Sequence, residues 1–73
     1  MPKPTVFLSI ASTGEDVECV QKILKALGYD VVIDGIFGIP TEIAVKRYQS
    51  DKNLIVDGIV NSVVFNILVN ENY

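Results

Sequence analysis

Histidine is absent from this sequence, and cysteine occurs once, as Cys19. A single thiol excludes an intramolecular disulfide, and without histidine it cannot complete the usual structural zinc ligand set. The lack of histidine also removes every His-dependent triad and the commonest general base at neutral pH. Positive charge is in deficit. Six lysines and arginines against nine aspartates and glutamates leave a net charge of −3. An acidic domain does not neutralise phosphates, which argues against nucleic acid as a partner and against anionic membrane surfaces. Long apolar runs are missing too. None reaches the ~18 residues of a membrane-spanning helix, and the uncharged stretch 58–70 is broken by Asn61, Ser62 and Asn66, so no membrane insertion is expected. The first residues hold an apolar stretch below the ~7–15 residues of a signal-peptide core, interrupted by Pro2 and Pro4. Residues 1–11 are therefore expected to form an extended N-terminal arm or linker, with no export signal visible in this chain.

What is present is short and oily. Seventy-three residues hold a single compact unit or part of one, and at this size a chain buries only about 60% of the surface its unfolded form exposes. A core of that size supplies roughly 3–5 kcal/mol of net stability. Yet 49% of the residues are apolar and the mean hydropathy is +0.38.

Three helices fit the pattern. Ser12, Thr13, Gly14 and Glu15 read as a capping box opening a helix over about 14–27. Asp16 and Glu18 add negative charge to its first turn. Val17, Val20, Leu24 and Leu27 form its stripe with Ile23 on the flank, and Gly28 is a left-handed C-cap. Cys19 faces away from that stripe as a surface-flank thiol. A second helix fits Pro40 to about Lys52, with Ala44, Val45, Tyr48 and the Lys52 stem on one face and Ile43 off it. A third fits 62–70, capped by Asn61 or Ser62, and is apolar nearly all round: Val63, Val64, Phe65, Ile67, Leu68 and Val69. The surplus apolar surface is expected mainly on this helix and in the N-terminal arm, where a neighbouring domain would pack.

The connections carry an internal repeat. Val31, Val32, Ile33, Asp34, Gly35 and Ile36 match Leu54, Ile55, Val56, Asp57, Gly58 and Ile59, with 23 residues from Asp34 to Asp57. Each aspartate can accept nearby backbone amides as an Asx-turn, and each glycine can take the positive φ that the turn requires. Two other readings fail. Paired β-hairpins lack room for a returning strand before the next helix. A calcium loop with the aspartate at position five has Val32 or Ile55 at position three and Thr41 or Val64 at position twelve, where oxygen ligands are needed.

The ordered set Gly14, Val17, Val20, Gln21, Leu24, Gly28, Tyr29, Asp34, Gly35, Phe37, Gly38, Thr41, Ala44, Val45, Tyr48, Gln49, Leu54, Asp57, Gly58, Val60, Phe65 and Leu68 resembles the peptidoglycan-binding domain of the PG_binding_1 type, over about residues 4–69. The resemblance implies an all-α fold, a small three-helix bundle with a pseudo-repeated loop-helix unit, occupying residues 12–73. It implies a non-catalytic murein-binding module that anchors a linked bacterial or phage cell-wall hydrolase at the cell envelope or outside the cell. The partners it implies are bacterial peptidoglycan and a linked catalytic domain, with no cofactor and no metal. This chain departs from the family pattern at Asn61, where glycine is usual, and at Val64, where threonine is usual. Pro40 also falls one residue late.

The candidate ligand-binding lining is the first repeat and its neighbours: Asp34, Gly35, Phe37, Gly38, Thr41, Tyr48 and Gln49. Each has a structural alternative. Asp34 and Asp57 can lock loops, Phe37 and Tyr48 can be core, Gln21 and Gln49 can satisfy loop carbonyls, and Thr41 can bond to first-turn backbone. Catalysis is not expected. Glycoside hydrolysis needs two carboxylates across a cleft, and the nine acids are scattered over loops and helix starts. A second reading stays open, in which the chain is a protein-interaction or regulatory helical module docking on a partner domain.

Overall fold

Two glycine-opened helices and one asparagine-capped helix account for most of the chain in a computed structural model, which describes residues 6–71. The order is β1 (Phe7–Leu8), α1 (Glu15–Ala26), α2 (Ile39–Asp51), β2 (Val60–Asn61) and α3 (Ser62–Glu71). The fold is the expected three-helix bundle, with one addition. β1 and β2 pair antiparallel, Phe7 opposite Asn61 and Leu8 opposite Val60. The arm is thereby drawn into the bundle from residue 6 onward. Val6 and Leu8 are buried in the core, and the Val6 amide donates to Ser62 Oγ at 2.7 Å.

The start of α1 differs from the capping box. Gly14, at φ +118°, is the N-cap and no side chain caps the helix. Ser12 is held elsewhere: its carbonyl accepts from the Phe37 amide at 2.9 Å, and its hydroxyl accepts from the Ser9 amide at 3.1 Å. Backbone pairing to the first loop wins over the local cap. The end of α1 is as expected. Gly28 sits at φ +100°, with Gly28 N–H on Lys25 O and Tyr29 N–H on Leu24 O, a Schellman motif. α2 ends the same way, with Asn53 at φ +58° and Leu54 N–H on Gln49 O at 2.8 Å. On α3 the choice of cap is resolved: Asn61 Oδ1 accepts from the Val64 amide at 2.9 Å.

Val17, Val20, Ile23 and Leu24 of α1, Ala44, Val45 and Tyr48 of α2, and Val64, Phe65 and Leu68 of α3 meet in one core. Phe37 and Val60, each three residues beyond a loop aspartate, enter it from the loops. Three expectations change. Leu27 is the C-cap of α1 and is partly exposed, while Ile23 joins the core. Cys19 is half-buried and packs against the core. The apolar surplus is not on α3, where only Val63 is strongly exposed. It lies in the N-terminal arm as expected, at Phe7 and Ile10, and beyond it in the repeat segments, at Val32, Ile33, Ile36 and Ile39 and again at Ile55 and Val56. α1 packs on α3, and the N-terminal segment is tied to its start through the Val6 amide on Ser62 Oγ and the β1–β2 pairing.

Candidate functional site

Each repeat loop is clamped by a buried glutamine from the preceding helix. Gln21 Oε1 accepts from the amides of Asp34 at 3.0 Å and Gly35 at 2.8 Å. Its Nε2 donates to Asp34 Oδ1, to Ile36 O and to Thr41 Oγ1, each at 3.0 Å. Gln49 repeats the arrangement. Its Oε1 accepts from Asp57 N at 3.2 Å and Gly58 N at 3.0 Å, and its Nε2 donates to Asp57 Oδ1 at 2.9 Å and Ile59 O at 3.0 Å. Each aspartate closes an Asx-turn, accepting the amide two residues on at 2.9 Å. Gly35 and Gly58 share φ +73°, the left-handed region that glycine enters without strain. The clamp satisfies polar groups that would otherwise be buried without partners.

The clamp fixes the role of the first-repeat candidates. Phe37, Thr41, Tyr48 and Gln49 are all at 3% exposure or less, so these side chains hold the fold. Thr41 bonds to the Gln21 amide, not to first-turn backbone as expected. Tyr48 donates its hydroxyl to Glu71 Oε2 and meets Tyr29 edge to face, ring centroids 6.0 Å apart. Gly35 is buried, Gly38 is half-buried as the N-cap of α2, and Asp34 faces solvent with Oδ1 engaged in the loop.

A groove opens at the second repeat instead. It has a volume of about 230 Å³ and is lined by Gln49, Leu54, Ile55, Asp57, Asn61, Val63 and Val64. Among the candidates only Gln49 belongs to it. The sequence signal for the others was the repeat itself. Shifted by 23 residues, Gly38 becomes Asn61 and Thr41 becomes Val64. These changes replace a residue without a side chain by an amide, and a clamp-bound hydroxyl by methyl groups.

The loop aspartates also set an acid limit. The amide of Ile36 holds the Asp34 carboxyl below the ordinary 3.8, aided by the Gln21 amide. The Ile59 amide and Gln49 do the same for Asp57. Lys52, then the Tyr48 hydroxyl, lowers Glu71 from 4.5. A lowered folded-state value contributes stability above the unfolded value, and that stability is lost as pH falls through the folded one. Melting temperature is therefore expected to drop as pH falls below about 4. Asp34→Asn with Asp57→Asn, which keeps the acceptor but not the titration, should flatten this drop in a pH series of thermal melts. An unchanged slope would show that these carboxyls do not set it.

Two loop-helix units, each locked by a glutamine and an Asx-turn around one core, define a duplicated helical module with a groove at the second unit. Residues 13–68 match the family PG_binding_1, described as "Putative peptidoglycan binding domain", and the chain belongs to that family. It is 41% identical over 64 residues to the zinc D-Ala-D-Ala carboxypeptidase of Streptomyces albus G, covering 81% of this chain and 24% of that protein. It is 44% identical over 50 residues to the spore cortex-lytic enzyme of Halalkalibacterium halodurans, covering 67% of this chain and 15% of that enzyme. The chain thus spans a quarter or less of the length of these curated relatives. The crystal structure of the SleB N-terminal domain matches the fold with a TM-score of 0.87 at 32% identity, over 93% of this chain and 94% of that one. A Burkholderia AP3 phage endolysin matches with a TM-score of 0.81 at 33% identity, over 86% of this chain and 24% of the endolysin. No helix among the described residues is long and apolar enough to cross a membrane.

Proposed function

We propose that this domain binds murein without catalysis and holds a linked cell-wall hydrolase against its substrate, in the cell envelope or outside the cell. Family membership carries the reading. The two curated relatives are by name a carboxypeptidase and a cortex-lytic enzyme, and the matched region is a small share of each. That proportion fits a targeting unit beside a separate catalytic domain. The groove suits such a unit: its lining is mostly apolar, with Asp57 and Asn61 as polar groups. With a net charge of −3, general attraction to anionic wall polymers does not serve, so the affinity comes from specific contacts.

The test is sedimentation with purified murein sacculi at low and moderate salt. The domain is expected in the pellet at both. A domain that stays in the supernatant while a known wall binder sediments would overturn wall binding and favour docking on a protein partner.

A further inference from the structure

The two repeats share one clamp but offer different surfaces, and the difference specifies a ligand. In the first repeat, Thr41 Oγ1 accepts from Gln21 Nε2 and Gly38 presents no side chain. In the second, Val64 and Asn61 stand at the equivalent positions and both line the groove. Asn61 Oδ1 is spent on the Val64 amide, which leaves the Nδ2 donor for a ligand carbonyl. Asp57 Oδ1 is held by the Ile59 amide and Gln49, which leaves its second oxygen to face a ligand cation. An acceptor and a donor side by side complement the N–H and C=O of a peptide.

We infer that this groove takes an amine-bearing stretch of the murein stem peptide, with the ammonium of its diamino acid on Asp57 and alanine methyl groups against Leu54, Ile55 and Val63. The inference rests on the wall-binding reading above and names which part of the wall is held. Three observations favour the peptide over the glycan. No aromatic ring lines the groove, so a sugar face has no flat platform. The branched aliphatic walls match small methyl groups. The volume of about 230 Å³ lies below the roughly 300–1,000 Å³ of sites for larger ligands, which suits a two-residue segment. No lysine or arginine lines the groove, so it selects the amine of the peptide over its free carboxylate.

The experiment is an NMR titration of the isotope-labelled chain with three soluble probes. These are the synthetic pentapeptide Nα-acetyl-L-Ala-γ-D-Glu-L-Lys-D-Ala-D-Ala, whose only amine is the lysine ammonium, its Nε-acetylated form, and chitotetraose. The pentapeptide is expected to move amides at 54–57 and 61–64, and acetylation to weaken binding by about fivefold. Val63→Lys, at a position 65% exposed, sets a second cation against the amine and should weaken the pentapeptide similarly without lowering the melting temperature. The inference is overturned if chitotetraose moves these amides and the pentapeptide does not, or if the acetylated peptide binds equally well. If sacculi still pellet the domain in that case, the wall-binding reading stands and only the assignment of the peptide fails. If sacculi do not pellet it, the reading itself has failed.

Discussion

Gln21→Glu is expected to leave the domain largely unfolded at room temperature. The exchange keeps size and shape but replaces the Nε2 donor by a carboxylate oxygen, set 3.0 Å from Asp34 Oδ1 and from Ile36 O. Gln21 is fully buried, so the new charge has neither water nor a cation beside it. A buried charge without a partner costs about 3–5 kcal/mol, which equals the roughly 3–5 kcal/mol that a core of this size supplies. Gln21→Ala removes the charge problem but strips partners from the Asp34 and Gly35 amides and from the Ile36 carbonyl, each costing about 1–3 kcal/mol when buried. Urea unfolding followed by circular dichroism separates the two. If Gln21→Glu unfolds cooperatively within about 1 kcal/mol of the parent, the clamp is incidental to the fold.

Tyr48→Ala has the second largest expected effect, a loss of about 3–5 kcal/mol from the void left by a fully buried ring. Tyr48→Phe isolates the hydroxyl and should cost about 1–2 kcal/mol. That hydroxyl reaches Glu71 at the end of α3, and Glu71 also pairs with Lys52 at 2.5 Å, just past the end of α2. Burial raises the Tyr48 phenol well above its usual range. The neighbouring Tyr29 hydroxyl, bonded to Asp51 at 2.5 Å, is pushed up to about 12, first by that bond. Thermal melts of the two variants check the ratio of ring to hydroxyl. Equal losses for Phe and Ala would mean that the Glu71 contact, not packing, holds α3.

The helices were readable because their signals are local. Gly28 with its left-handed φ, Pro40 in the first turn of α2 and Asn61 before α3 all act within one turn. The Asx-turns of Asp34 and Asp57 were readable for the same reason. The clamps were only half readable. Gln21 lies 13 residues before Asp34 and Gln49 only 8 before Asp57, so the repeat of the loops does not extend to the glutamines that close them. Ser12 misled because its hydroxyl takes the Ser9 amide and its carbonyl takes the amide of Phe37, twenty-five residues away, which leaves Gly14 as the N-cap. The resemblance points to a lining at the first repeat. Four of those candidates, Phe37, Thr41, Tyr48 and Gln49, are buried in the clamp and the core. The groove instead formed around Asn61 and Val64, where the second repeat departs from the first.

Val32 and Ile55 occupy equivalent positions, 23 residues apart, and are 63% and 82% exposed. Only Ile55 lines the groove. Val32→Lys and Ile55→Lys add the same charge to the same part of each repeat, so any general electrostatic effect on an anionic wall is common to both. Side-by-side sedimentation of the two variants with murein sacculi is the most direct measurement. Ile55→Lys is expected to stay in the supernatant while Val32→Lys pellets like the parent. Equal pelleting of both, or loss only in Val32→Lys, would contradict a wall-binding surface built on the second repeat.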